Sequence, residues 1–141
     1  MEDWYADATA VLVGHLEAVA SKDVQQLRLF FHPEALFFGT DDSERWTTDD
    51  LAKLLVESEA GWDMRECLKR EVRYISPACV SFFEVVRHVK YGLFRGSGIV
   101  VKDDEGQWMI RHYVLSYSVP NKLADKPLFA KLLALKKWET A

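Results

Sequence analysis

The stretch Gly92 to Pro120, GLFRGSGIVVKDDEGQWMIRHYVLSYSVP, restricts the possible folds more than any other part of the chain. Its β-branched and aromatic residues alternate with other types on both sides of an acidic, glycine-containing turn, Asp103 to Gly106. That pattern predicts two long antiparallel strands, Leu93–Val101 and Trp108–Tyr117. Four polar residues, Arg95, Ser97, His112 and Ser116, stand among the apolar ones. Where these side chains point decides most of what the chain can do.

Two further strands precede the hairpin. Leu68–Ile75 ends at Ser76-Pro77, and Val80–Val89 leads into the turn Tyr91-Gly92. Upstream of Arg65 the period is helical instead. Ala8, Val11, Leu12, His15, Leu16 and Val19 form one stripe of a helix over Asp3–Ala20. Asp23 is a natural N-cap for a short second helix carrying Val24, Leu27 and Phe31, which His32-Pro33 ends. A short strand over Ala35–Gly39 follows. Thr47 or Thr48 caps a third helix that places Leu51, Leu54, Leu55, Ser58 and Trp62 on one face. Asp125-Lys126-Pro127 opens a last helix with Leu128, Leu132 and Leu135 on one side. Helices first and antiparallel strands after predict a single α+β domain over 1–141, with helices packed on one face of the sheet.

Turn lengths suggest a register. With Tyr91-Gly92 as a two-residue loop, Glu84 pairs with Ile99, Val86 with Ser97 and His88 with Arg95. With Val101 opposite Trp108, Ser97 pairs with His112. One face then carries Phe82, Glu84, Val86, His88, Arg95, Ser97, Ile99, Trp108, Ile110 and His112. It has an apolar base and polar residues gathered at one end, the usual composition of a small-molecule pocket. The opposite face holds Phe94, Gly96, Gly98, Tyr113 and Leu115, too apolar for water, and is expected to be covered by a second copy of the chain.

Composition narrows the partners. The net charge is −4 and the basic residues are scattered, Lys136-Lys137 excepted, so no basic stripe for nucleic acid is present. No apolar run reaches the ~20 residues of a membrane span, and the acidic start MEDWYAD lacks a signal-peptide layout. Cys67 and Cys79 have no CxxC spacing, which suits reduced thiols in a cytoplasmic protein. The four histidines are too dispersed for a metal site, and no phosphate-cradling glycine motif occurs, so neither metal nor cofactor is expected.

From Arg95 to Asn121 (RGSGIVVKDDEGQWMIRHYVLSYSVPN) the chain resembles the SnoaL-like branch of the nuclear transport factor 2-like (ketosteroid isomerase-like) superfamily. The earlier run DVQQLRLFFHPEALFF, Asp23 to Phe38, and the segments Glu44–Trp46 and Thr48–Leu55 are similar to that family as well. The resemblance implies a cone: three N-terminal helices wrapped by a strongly bent, mainly antiparallel sheet, an internal pocket, and commonly a homodimer through the outer sheet face. It also implies where an isomerase would carry its aspartate base, just after the first strand. Here Gly39 stands at that place, so isomerase chemistry of that type lacks its proton carrier.

The candidate residues follow. His112 and Glu84 form the acid–base pair to test, the carboxylate orienting the imidazole. Arg95 suits a carboxylate ligand, and Ser97, His88, Trp46, Trp62 and Phe82 complete the expected lining. His15 reads as a core residue or one bonded to a nearby carbonyl. Three functions fit. One is a domain binding a small hydrophobic or carboxylate-bearing ligand, the second a lyase- or isomerase-type enzyme, and the third a homodimerisation module whose cone is filled by its own aromatics. The dimer surface is expected at Gly96, Gly98, Tyr113 and Leu115.

Overall fold

A computed structural model describes residues 3–58, 62–128 and 131. The first helix, α1 (Trp4–Ser21), starts where Asp3 accepts the Ala6 N–H on its side chain at 3.0 Å. It buries Ala8, Val11, Leu12, His15 and Leu16 of the stripe that the three- and four-residue spacing predicts, together with Ala18, while Val19 is half-buried. It stops at Lys22, whose φ of 58° is left-handed. Glycine normally fills that position, and a lysine there costs about 1 kcal/mol or more. Asp23 caps α2 (Val24–Phe30) through the Gln26 N–H. Gly14 makes the α1–α2 contact possible, because a Cβ there would stand 2.4 Å from the Phe30 ring.

Strand β1 (Phe31–Phe38) begins directly after α2, four residues earlier than the sequence predicts. His32-Pro33 does end the helix, but the chain goes straight into extended backbone. A short strand, β2 (Arg45–Thr47), precedes α3 (Thr48–Glu57). Thr47 is the N-cap of α3, in a reciprocal capping box with Asp50. Trp62 lies beyond the end of α3 rather than on its face. Then come β3 (Glu66–Ser76), β4 (Cys79–His88), β5 (Gly92–Lys102) and β6 (Trp108–Tyr117), and a single-turn helix α4 (Asn121–Ala124). Leu132, Leu135, Lys136 and Lys137 lie outside the described residues.

The six strands form one sheet in the order β2-β1-β6-β5-β4-β3. Every pair is antiparallel except β1–β6, which is parallel and joins the first strand to the last. The core lies between this sheet and the helices, with Leu12, Leu27, Phe31, Val80, Val86, Phe94, Val100 and Ile110 almost fully buried. The α+β cone is therefore observed as expected.

The register differs from the turn-length expectation. Three residues, Val89 to Tyr91, link β4 and β5, and His88 pairs with Gly92. The His88 ring explains this, since Nδ1 accepts the N–H groups of Lys90 and Tyr91 at 3.1 and 3.3 Å. Gly92 supplies the φ of 83° that returns the chain to the sheet. Glu84 consequently faces Gly96 instead of Ile99. An odd shift turns β5 over relative to β4. A second device acts in β6, where Ile99 pairs with His112 but Val100 with Ile110, so Arg111 is bulged. Ile110 and Tyr113, three residues apart, are thereby both buried. The Arg111 guanidinium donates to the Glu34 carbonyl, in the part of β1 where the β1–β6 register is interrupted.

Candidate functional site: a buried carboxylate beside an apolar cavity

The β4 alternation Val80, Phe82, Glu84, Val86 points inward, so a glutamate enters the core with a relative exposure of 0%. A buried charge needs partners, and three elements supply them. Arg70, opposite in β3, donates from Nε to Oε1 at 3.1 Å. Tyr113 of β6 donates its hydroxyl to Oε2 at 2.8 Å, and His15 Nε2 of α1 lies 3.1 Å from the same oxygen. Gly96 lies between Glu84 and Leu115 in the sheet, and it opens the path for the tyrosine. A Cβ at position 96 would sit 1.9 Å from the Tyr113 hydroxyl.

Burial pushes the Glu84 carboxyl up, but the His15, Tyr113 and Arg70 interactions outweigh it and hold the group below the ordinary glutamate value. Tyr113 moves the other way. Burial first, then the Glu84 charge, raise its phenol well above the usual range. Both effects favour a carboxylate receiving a neutral phenol's hydrogen bond. The His15 ring is set edge-on against Phe31 and Tyr113, at 5.7 and 5.0 Å between centroids. Its Nδ1 is buried and, among the described residues, has no hydrogen-bond partner.

A cavity of about 210 Å³ opens on the other side of His15 and Tyr113. Leu16 and Val19 of α1, Leu51, Leu54 and Leu55 of α3, and Leu115 of β6 make its walls apolar. Phe37, stacked on Tyr113 with rings 5.0 Å apart and 7° from parallel, and Trp46 add aromatic surface. The polar part of the lining is Lys22, Thr40, Glu44 and Ser58. Gly39 also lines it, and a Cβ there would lie 2.7 Å from Glu44 Oε1.

The structure sorts the predicted residues. Trp46 and Trp62 do line the cavity. Phe82 is core, its ring 5.6 Å from Tyr113. His88 serves the β4–β5 turn and lies against Trp62 and Tyr91. Glu84 and His112 do not meet. Glu84 is inside, whereas His112 pairs with Ile99 on the outer face and lies near Phe38, with ring centroids 5.4 Å apart. Arg95 is exposed and Ser97 half-buried on that same outer face, across from Val85 and Phe83. Neither reaches the cavity. The odd β4–β5 shift is the cause. It also moves the expected dimer residues inward: Gly96 is buried, Tyr113 and Leu115 are 1% and 6% exposed, and Gly98 packs on the His112 backbone. The apolar outer face consists instead of half-buried Phe83, Val85, Ile99 and Val114.

Local sequence patterns do not place His15, Arg70, Tyr113 or Lys22 at the site. Two signals exist all the same. A histidine within an apolar helical stripe and a glutamate within an apolar strand each require a buried partner, and here they are each other's. Among the described residues no group of three or more His, Cys, Asp or Glu side chains is placed to hold a metal ion. Among the same residues no helix is long and apolar enough to cross a membrane.

Helices closing over the inner face of a mixed sheet, with a cavity between them, define a pocket-bearing α+β cone. Solved structures that share this fold include the following three. A nuclear transport factor 2-like protein from Cytophaga hutchinsonii is 16% identical, with a TM-score of 0.65 over 83% of this chain and 100% of that one. A cystatin-like fold protein from Burkholderia xenovorans is 16% identical with a TM-score of 0.68, over 82% and 92% of the two chains. A ketosteroid isomerase-like protein from Erwinia carotovora atroseptica is 16% identical with a TM-score of 0.63, over 85% and 100%. No curated protein matches the sequence. The SnoaL-like domain profile matches residues 9–120, and the chain belongs to that family.

Proposed function

We propose that the protein binds a small, largely hydrophobic molecule in the cavity between α1, α3 and β6. The observation that carries this reading is unfilled apolar space of about 210 Å³ inside the cone. Apolar cavities of about 150 Å³ stay dry and accept benzene, so this one suits a ligand somewhat larger. A cone filled by its own aromatics would leave no such room. Glu84 is spent on three donors, which favours a role in holding His15 and Tyr113 in the cavity wall over a role as a free base. Titration with 1-octanol by calorimetry is expected to show saturable binding. Leu55→Trp, which fills the cavity from α3, is expected to weaken it by at least about tenfold. Equal binding by both proteins would place the ligand elsewhere and end this reading.

A second reading rests on Glu44. The family resemblance implies an isomerase base at the position of Gly39, and the Glu44 carboxylate lies 2.7 Å from where a side chain at 39 would begin. A carboxylate delivered from the approach to β2 would then act on a carbonyl-bearing ligand by removing a proton from the adjacent carbon. The protein should accelerate deuterium uptake by 2-octanone next to its carbonyl, and Glu44→Gln should reduce that acceleration by about 100-fold or more. No acceleration by the wild-type protein would leave binding alone as the function.

A further inference from the structure

Lys22 is the one lysine or arginine among the described residues of the cavity lining, and it occupies a backbone conformation that a lysine disfavours. Among the described residues it is the sole non-glycine with positive φ. Its ammonium donates to the carbonyl of Ser58, the C-cap of α3. One explanation is local: a cation near two helix C-termini complements their dipoles. Among the described residues that explanation accounts for one hydrogen bond and leaves two of the three ammonium donors unassigned. Among the described residues no carboxylate lies within ion-pair distance of Lys22. The anionic member of the lining, Glu44, is instead engaged by the Asp41 N–H at 2.8 Å.

From this we infer that Lys22 anchors the carboxylate of an amphipathic ligand whose apolar part fills the cavity. The two halves of such a molecule match the two halves of the lining. A half-buried ammonium with spare donors sits at one side, and Leu16, Val19, Leu51, Leu55 and Leu115 form the rest. Lysine acts here as a point charge, and a half-buried ion pair is screened less than one in open water. Arg95, the anion anchor that the sequence suggests, is on the outer face and cannot take this role. The volume limits the ligand to a short-chain or single-ring monocarboxylate, with octanoate a fair representative.

The inference rests on the ligand-binding reading above, and one pair of probes separates the two. Octanoate and 1-octanol share a tail and differ in head-group charge. Wild-type protein is expected to bind octanoate about tenfold more tightly than octanol by calorimetry at low salt. Lys22→Met should remove that preference, read as the ratio of octanoate to octanol affinity within each protein, whereas Lys22→Arg should keep it. Lys22→Gly suits the positive φ and guards against misfolding, and it too should bind both probes equally. Octanol and octanoate binding equally to the wild type, or Lys22→Met and Lys22→Gly retaining the octanoate preference, overturns the anchor and leaves the pocket. Failure of both probes to bind the wild type overturns the pocket and the anchor together.

Discussion

Replacing Glu84 by glutamine is expected to lower the unfolding free energy by about 3–5 kcal/mol, read from denaturant midpoints. The magnitude follows from what remains behind. Arg70, His15 and Tyr113 all donate to a carboxylate that is fully enclosed. An amide has one acceptor oxygen and turns a donor toward at least one of them. An exposed pair supplies the contrast. Arg87 and Glu66 lie 3.1 Å apart with side chains 50% and 57% exposed, so Arg87→Gln should change stability by less than about 1 kcal/mol. A loss below about 1 kcal/mol for Glu84→Gln would mean that the cluster does not hold the helices to the sheet.

The same residue sets an acid response. Its folded-state value is depressed, because its donors outweigh the opposing effect of burial. A depressed carboxyl contributes stability that is complete above its unfolded value, about 4.3 for glutamate, and fades as pH falls through the folded value. The stability gap between wild type and Glu84→Gln should therefore be constant near neutrality and narrow on acidification below about pH 4.

Gly96→Ala is expected to destabilise the protein by about 3 kcal/mol, combining overpacking with a weakened hydrogen bond to a charged group. The added methyl would meet the Tyr113 hydroxyl at 1.9 Å and its Cζ at 2.5 Å. Because a side chain is the obstacle, the effect is conditional. In a Tyr113→Phe background the same substitution should cost at least about 1 kcal/mol less, a coupling that a double-mutant cycle measures directly. Gly98→Ala is the internal control. Its Cβ would lie 1.8 Å from the His112 backbone carbonyl, and Tyr113→Phe cannot relieve that collision. Additive effects of Gly96→Ala and Tyr113→Phe would show that the Tyr113 hydroxyl is not what requires a glycine at 96.

The helix stripes, the caps at Asp23 and Thr47, and the four long strands are legible in the sequence because each is a local pattern of a few residues. The site is only partly legible. Trp46 and Trp62 can be placed from the sequence, while His112, Arg95 and Ser97 fall on the opposite side from the one that counting assigns. The discrepancy arises at the β4–β5 turn, and a bulge in β6 separately brings Ile110 and Tyr113 to the same inner face. A loop length chosen from Tyr91-Gly92 cannot include the His88 ring that gathers the Lys90 and Tyr91 N–H groups. A period-two reading of β6 cannot include the extra residue at Arg111. Each changes parity, and parity decides which face is inside. His15 lies 69 residues from Glu84, so their meeting is a property of the fold and of no local pattern.

The parallel β1–β6 pair has a consequence for how the molecule is made. Among the described residues, strand β6 alone links β2-β1 to β5-β4-β3 in the sheet. Until Trp108–Tyr117 has left the ribosome, the nascent chain holds two unconnected pieces of sheet, and Glu84 has no Tyr113 to meet. Pairings so distant in sequence close slowly because loop entropy must be overcome before any contact rewards it. The apolar stripe of α1, emerging ahead of every strand, waits longest for its sheet, and closure of this fold is in effect a single late event.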